Sequence, residues 1–94
     1  MRIEISPRAR DDLIGIWEFV ARESEESADR VFDQLVSLAE SFALFPDRGH
    51  HHPSLRAPDL RVVSLREWLI VYRVRPMAVQ IVRVVSGRQD LRSL

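Results

Sequence analysis

The strongest pattern in the sequence is a set of three hydrophobic runs in its last third. They span about residues 60–65, 68–74 and 79–85, and each fits a β-strand, in which successive side chains point to opposite faces. A shorter run, Arg2 to Ile5, fits a fourth strand near the amino terminus. The last three runs carry aliphatic residues at both parities, so the pattern predicts that both faces of the sheet need cover.

Two helices are predicted between the first strand and the last three. Ser6 followed by Pro7 is typical of a helix start, with Ser as N-cap and Pro at the first helical position. Ser24, followed by two glutamates, predicts the start of a second helix that runs to about Leu44 and ends before Pro46. Because the gap between the helices is short, we expect an antiparallel hairpin.

Each predicted helix has an apolar stripe at helical spacing. The stripe of the first helix consists of Leu13, Trp17, Val20 and Ala21, flanked by Ile14 and Ile16. The stripe of the second consists of Ala28, Val31, Phe32, Leu35, Leu38, Ala39, Phe42 and Phe45. These stripes predict that the hairpin covers one face of the sheet, and that Trp17 belongs to the core.

The resulting order is β-α-α-β-β-β within a single domain, residues 1–94. It predicts an α+β fold of two layers, with the helical hairpin packed on one face of a small, mainly antiparallel sheet. On the third strand Trp68 shares a parity with the apolar residues, whereas Leu69 and Val71 share a parity with Arg73. We therefore expect Leu69 and Val71 to lie half exposed among arginines on the open face, a composition typical of protein interfaces.

Charge is distributed unevenly although the formal net charge is zero. Residues 1–47 hold 5 Arg and 11 Asp or Glu, a net −6, whereas residues 48–94 hold 9 Arg and 3 Asp or Glu, a net +6. Two interpretations stay open: the basic half faces an acidic or nucleic-acid partner, or the halves neutralise each other within one fold.

Composition excludes several kinds of chemistry. Cysteine is absent, which removes disulfides and thiolate catalysis, and lysine is absent, which removes Schiff-base chemistry. No apolar run is long enough to span a membrane, and the amino terminus lacks the apolar stretch of a signal peptide. These features predict a cytoplasmic protein without cofactors.

Few residues suggest a catalytic or metal site. His50, His51 and His52 are contiguous in a loop rich in proline and glycine, whereas zinc ligands are usually spaced, so no metal is expected there. A histidine of this loop stays a candidate base for RNA cleavage. Tyr72, the only tyrosine, shares a parity with Trp68 and is assigned to the core, while Trp68 itself fits either the core or a partner anchor.

Six short segments occur in a characteristic order along the chain. They are SPRA (6–9), DDLIGIW (11–17), SADRV (27–31), FPDRG (45–49), LIVYRV (69–74) and IVRVVSGRQD (81–90). With the predicted order of elements, they resemble the ParE branch of the RelE/ParE superfamily of bacterial toxins. The resemblance implies a toxin of a type II toxin–antitoxin module, a class that includes plasmid-stabilisation systems. It also implies that the toxin inhibits DNA gyrase without catalysis and forms a hetero-oligomer with a ParD-like antitoxin.

The alternative implied by the same superfamily is a ribosome-dependent mRNA endoribonuclease of RelE type. Cleavage needs a base for the 2′-hydroxyl and an acid for the leaving oxygen. The chain has no Tyr or His after Tyr72, and Ser86 stands where many relatives have His. Gyrase inhibition is therefore favoured; a third possibility is a chain that has lost toxicity and only binds its antitoxin.

The predicted partner surface combines arginines of the second half with neighbouring apolar residues. Arginine grips carboxylates and phosphates through two parallel hydrogen bonds, although arginines at strand edges also deter aggregation. No catalytic residue, membrane contact or direct nucleic-acid binding is expected. The predicted partner-binding residues are Arg61, Trp68, Leu69, Val71, Arg73, Arg83, Arg88 and Asp90.

Overall fold

The structure is a computed structural model that describes residues 1–94. It contains four strands, two α-helices and one turn of 3₁₀ helix at Leu91–Ser93. In chain order the main elements are β1 (Arg2–Ile5), α1 (Pro7–Ala21), α2 (Glu25–Ser41), β2 (Leu60–Leu65), β3 (Trp68–Val74) and β4 (Ala78–Ser86). No helix combines the length and apolar character that crossing a membrane requires.

The four strands form one sheet in the order β1-β4-β3-β2. β2, β3 and β4 form an antiparallel meander, and β1 pairs with β4 in parallel, with Ile5 opposite Ile81. Both helices lie on one face of this sheet, so the predicted α+β architecture of a helical hairpin on a mainly antiparallel sheet is confirmed.

Serine side chains start both helices, as predicted. The Ser6 hydroxyl accepts a hydrogen bond from the Ala9 amide at 3.0 Å and donates one to the Val82 carbonyl at 2.8 Å, which ties the start of α1 to β4. The Ser24 hydroxyl accepts from the Ser27 amide at 3.1 Å. α2 ends at Ser41, about three residues earlier than predicted.

The main core lies between the hairpin and the sheet. The core is formed by Ala9, Leu13 and Ile16 of α1, by Val31, Leu35 and Ala39 of α2, by Trp68, Ile70 and Tyr72 of β3, and by Val79, Ile81 and Val84 of β4, with Phe42. Tyr72 is fully buried and stacks on Phe42 with ring centroids 4.1 Å apart, which confirms its predicted place in the core.

Three aromatic residues assigned to the helix stripes, Trp17, Phe32 and Phe45, lie outside this core. Trp17 is half-buried, and its indole Nε1 donates to Asp29 Oδ1 at 2.8 Å on the flank of the hairpin. Phe45 is 61% exposed because α2 ends before it and the chain has already turned away from the sheet. Phe32 is 37% exposed on the outer side of α2. The core assignments of Trp17, Phe32 and Phe45 were therefore wrong.

The second face of the sheet is covered by the chain itself. The loop of residues 46–58 and the carboxyl-terminal turn place Leu55 and Leu91 on Val62, Val71 and Val85 in a second cluster of buried residues. Val71 is completely buried, so its predicted half-exposure was wrong, whereas Leu69 is half-buried as expected. The expectation that this face lacks cover failed because an irregular loop shows no periodic stripe.

A register shift in β4 also changes which residues share a face. Val71 pairs with Arg83 and Tyr72 pairs with Ile81, so Val82 has no partner on β3. Such a bulge inserts one residue and resets the alternation of side chains. Ile81 and Val84 therefore both join the core under the helices, although the two have opposite parity in the sequence.

The covering loop is fastened by buried polar contacts. The Tyr72 hydroxyl accepts from the Gly49 amide at 2.7 Å and donates to the Pro46 carbonyl at 2.8 Å. The Arg61 guanidinium donates to the Gly49 carbonyl at 2.8 Å. Burial raises the pKa of the Tyr72 hydroxyl above its ordinary value, partly offset by the Gly49 amide that donates to it.

Candidate functional site

The largest cavity is an open groove of about 740 Å³ beside α1. It lies between α1 and the end of the sheet where β3 begins and β4 ends. We call it the α1 groove, and its principal lining residues are Asp11, Asp12, Gly15, Phe19, Glu67, Trp68, Arg83, Ser86 and Arg88. Three of the predicted partner-binding residues, Trp68, Arg83 and Arg88, are brought together here.

Arg83 is held inside the protein by an ion pair at one end of the groove. Its Nε and Nη2 donate to the two carboxylate oxygens of Asp12 at 2.8 and 3.1 Å, and both side chains are about 15% exposed. The hydrogen bond to Asp12 raises the pKa of Arg83. This bidentate pair joins the acidic and basic halves of the chain, which supports internal neutralisation for this arginine.

Asp12 has a second role at the edge of β4. β1 ends at Ile5, opposite Ile81 of β4. On that side of β4, the amide of Val84 therefore has no carbonyl of a neighbouring strand to which it can donate. The Asp12 Oδ2 accepts a hydrogen bond from that amide at 2.9 Å. Asp12 thus satisfies the strand edge and positions Arg83 at the same time.

The apolar part of the groove consists of two aromatic rings. Phe19 is 56% exposed and meets Trp68 edge-on, with centroids 6.3 Å apart and an interplanar angle of 85°. Trp68 is buried, yet its indole Nε1 has no hydrogen-bond partner. A buried donor without a partner is energetically unfavourable, a state that binding sites tolerate more often than cores.

Arg88 is the free cation of the groove. It follows Gly87, whose amide donates to the Glu67 carbonyl at 2.7 Å and turns the chain at the end of β4. The side chain of Arg88 is exposed and forms no ion pair or hydrogen bond within the protein. It is therefore the predicted arginine best placed to meet an external anion.

The other predicted residues lie away from the α1 groove. Arg61 bonds the loop and lies 3.5 Å from Asp47, and Arg73 lies 3.2 Å from Asp59. Leu69 and Val71 pack on the second face.

Asp90 caps the carboxyl-terminal turn, where it accepts from the Arg92 amide at 3.0 Å and from the Arg92 guanidinium. The Arg92 side chain lowers the pKa of Asp90. Most of the predicted surface is thus engaged within the chain itself.

The histidines occupy the opposite edge of the sheet. His50 pairs through its backbone with Val62 of β2, and His51 Nδ1 lies 3.1 Å from the Leu60 carbonyl. The His52 Nδ1 accepts from the Ser54 amide at 3.1 Å. None of the three lines the α1 groove, and no cluster of three or more metal-binding side chains occurs in the protein.

Several residues of the groove were not predicted from the sequence. Asp11, Asp12, Phe19 and Glu67 were not singled out, yet they form its rim and walls. Phe19 offered one signal, because a large aromatic that stands off the apolar stripe of a helix is an unusual surface residue. Nothing local marks Asp12, since its partners lie more than seventy residues away.

The fold is shared with a solved toxin–antitoxin protein. A chain from the chromosomal ParDE toxin–antitoxin system of P. aeruginosa superposes with a TM-score of 0.77 at 22% sequence identity, covering 92% of this chain and 95% of that one. This likeness establishes the fold class independently of the sequence resemblance.

The sequence comparisons establish the family. Residues 3–91 match the sequence model of the ParE toxin of the type II toxin–antitoxin system parDE. Toxin RelE3 of Caulobacter vibrioides is 34% identical over 83 residues, covering 87% of this chain and 89% of that protein. Toxin ParE3 of the same organism is 31% identical over 64 residues, covering 68% and 63%. The chain belongs to the ParE toxin family of type II toxin–antitoxin systems.

Proposed function

We propose that this toxin inhibits DNA gyrase without catalysis, and that a cognate ParD-like antitoxin neutralises it. Membership of the ParE family supports the target, because ParE-type toxins poison gyrase. The observation that carries the proposal is the α1 groove, which is lined by the unpaired Arg88 side chain and by the Phe19 and Trp68 rings. Arginine and aromatic residues in one concave site are typical anchors of protein–protein binding.

The geometry favours binding over chemistry in this groove. Tyr72, the only tyrosine, is buried under the loop with both hydrogen-bonding roles of its hydroxyl satisfied. Burial also raises the pKa of Tyr72, which opposes its use as a base at neutral pH. Arg83 is already paired with Asp12, so Arg88 is the cation left for a partner.

A supercoiling assay tests the proposal directly. Purified toxin is expected to inhibit the supercoiling of relaxed plasmid by DNA gyrase. Arg88→Ala is expected to raise the inhibitory concentration about tenfold or more, the usual effect of truncating an interface anchor. The matched control is Arg75→Ala, an exposed arginine in the turn at the opposite end of β3. Full gyrase activity at a saturating concentration of folded toxin contradicts the proposal.

One observation favours a second candidate, a ribosome-dependent ribonuclease. The relative with 34% identity is named Toxin RelE3. However, the candidate base for RNA cleavage and the arginines suited to gripping phosphate are dispersed: Arg61 fastens the loop, the histidines lie beside β2, and only Arg83 and Arg88 share the groove. Primer extension on mRNA from a cell-free translation reaction separates the candidates, since codon-linked cuts that Arg88→Ala abolishes support only the ribonuclease.

A further inference from the structure

The two outer edges of the sheet differ in their backbone pairing. At the β2 edge, the His50 amide donates to the Val62 carbonyl at 3.1 Å, and the Val62 amide donates to the His50 carbonyl at 2.9 Å. The covering loop therefore closes that edge with reciprocal backbone bonds. β1, at the other edge, has a strand on one side only. An open strand edge is a template for pairing with another chain.

The free backbone groups of β1 can be assigned from its pairing. The Ser6 amide donates to the Ile81 carbonyl, so it points toward β4. Because backbone groups alternate in direction along a strand, the amides and carbonyls of Ile3 and Ile5 point away from the sheet. The chain contacts this side only beyond the strand, where the amino-terminal nitrogen of Met1 meets the Ala43 carbonyl at 3.3 Å.

An apolar pocket opens directly beneath this edge. It has a volume of about 210 Å³ and lies between β1 and α2, with nine hydrophobic residues among the ten that line it. The exposed or half-buried members are Ile3, Ile5, Val36 and Glu40, which places the mouth between the two elements. A cavity of about 150 Å³ is enough to hold benzene, so this pocket accommodates a leucine-sized side chain.

The charge at the mouth of the pocket indicates which kind of residue lies next to the bound aliphatic side chain. Glu40 is exposed, is the one charged residue of the lining, and has no ion-pair partner, whereas Glu4 is already paired with Arg2 at 2.8 Å. Residues 1–47 also carry the net charge of −6. A basic side chain next to the apolar one therefore complements this rim.

We propose that β1 receives an extended segment of the antitoxin as a fifth strand, with an aliphatic side chain in the β1 pocket and a basic side chain on Glu40. The identification of the antitoxin as the protein that supplies this strand rests on the proposed function. Alternate residues of a strand share a face, so the aliphatic and basic residues stand two positions apart in the segment. Backbone pairing supplies affinity, and the pocket and Glu40 supply specificity.

A synthetic peptide tests the site without a cloned antitoxin. The probe is acetyl-Thr-Leu-Thr-Arg-Thr-Thr-amide, titrated into the full toxin labelled with ¹⁵N. We expect saturable shifts at Ile3, Ile5 and Val36, and slower hydrogen exchange at the Ile3 and Ile5 amides. Replacing the peptide leucine by alanine is expected to weaken binding about tenfold or more.

Two toxin variants address the backbone and the charge separately. Ile5→Pro removes an outward amide while sparing the bonds to β4, and is expected to abolish binding that Ile5→Val retains. Glu40→Arg is expected to weaken the arginine peptide about fivefold and to strengthen a peptide with glutamate at that position. This exchange of preference cannot result from misfolding.

Peptide methylation gives a test in which the toxin is unaltered. N-methylation of one alternate set of peptide amides is expected to abolish binding, whereas methylation of the other set is expected to leave it unchanged. Equal effects of the two sets, no binding at millimolar peptide, or binding unaffected by Ile5→Pro each overturn the proposal. A toxin dimer in sedimentation that dissociates with Ile5→Pro also overturns it, because a second copy of the chain then occupies the edge.

The gyrase assay distinguishes this proposal from the proposed function. Normal peptide binding by a toxin that leaves gyrase fully active contradicts gyrase inhibition and supports the β1 site. Gyrase inhibition by a toxin that binds no peptide contradicts only the β1 site.

Discussion

The two faces of the sheet are covered by different means. On one face, two helices with regular apolar stripes bury thirteen residues in a continuous core. On the other, an irregular loop and a single helical turn bury six, and the loop is fastened by the Tyr72 hydroxyl, the Gly49 backbone and Arg61. Periodic packing stabilises the first face, whereas the second depends on a few specific polar contacts and close approaches.

Truncating one leucine on each face measures this difference most directly. Leu35 is 1% exposed in the middle of the helix-covered core, and Leu35→Ala is expected to lower the free energy of unfolding by about 4 kcal/mol. Leu91→Ala, at the end of the chain, is expected to lower it by about 2 kcal/mol because the site relaxes more easily. Urea denaturation checks both, with exposed Leu44→Ala as the control, and equal losses on the two faces contradict the comparison.

A methyl group at Gly49 tests the close approach under the loop. A Cβ there would lie 2.7 Å from Cε1 and the hydroxyl oxygen of the buried Tyr72, closer than atoms pack. Gly49→Ala is therefore expected to destabilise the protein by about 2–3 kcal/mol.

Gly15 provides the matched control for that change. It lies within α1, and a Cβ there meets nothing within 4 Å. Gly15→Ala is expected to stabilise the protein by about 0.5–1 kcal/mol because glycine is a poor helix former. Thermal unfolding shifts of the same sign for both alanines would refute the close approach at Gly49.

The Tyr72 hydroxyl makes the second face sensitive to alkaline pH. Tyr72→Phe removes bonds to Gly49 and Pro46 and is expected to lower stability by about 1–3 kcal/mol at neutral pH. The folded pKa of Tyr72 is raised, so its protonated form is favoured by folding. This contribution is complete below the unfolded pKa of about 10 and is lost as pH rises through the higher folded pKa.

Stability profiles from about pH 8 to 11 check this sign. The wild type is expected to lose stability above about pH 10, and Tyr72→Phe is expected to show a flatter profile. Parallel profiles for the two proteins would show that the hydroxyl does not titrate with folding.

The smallest effect on stability is expected at the turn between β2 and β3, which belongs to neither covered face of the sheet. Arg66 has φ 56°, a left-handed conformation that favours glycine, and its Nε donates to Gln34 at 3.0 Å. Arg66→Gly is expected to be more stable than Arg66→Ala by about 0.5–1 kcal/mol, since both lose the Gln34 contact and only glycine relieves the backbone. Urea midpoints measure the difference, and a more stable alanine variant refutes the strain.

The sequence by itself determined the elements and their order. Helix starts at Ser6 and Ser24 and the strands near residues 60–65 and 68–74 were correct, because capping and periodicity are local properties. The α+β class followed from those elements, and the family resemblance was confirmed by the match over residues 3–91. Tyr72 was also placed correctly, since its parity matched that of Trp68.

Only the tertiary structure decided which arginines are free. Arg61, Arg73 and Arg83 are each engaged by groups distant in sequence, whereas Arg88 has no such partner. The cover of Val71 and the bulge at Val82 were likewise beyond local patterns. Ion pairs, loop packing and strand register depend on contacts between segments that are distant in the sequence. No short-range pattern of residues predicts which of those segments come into contact.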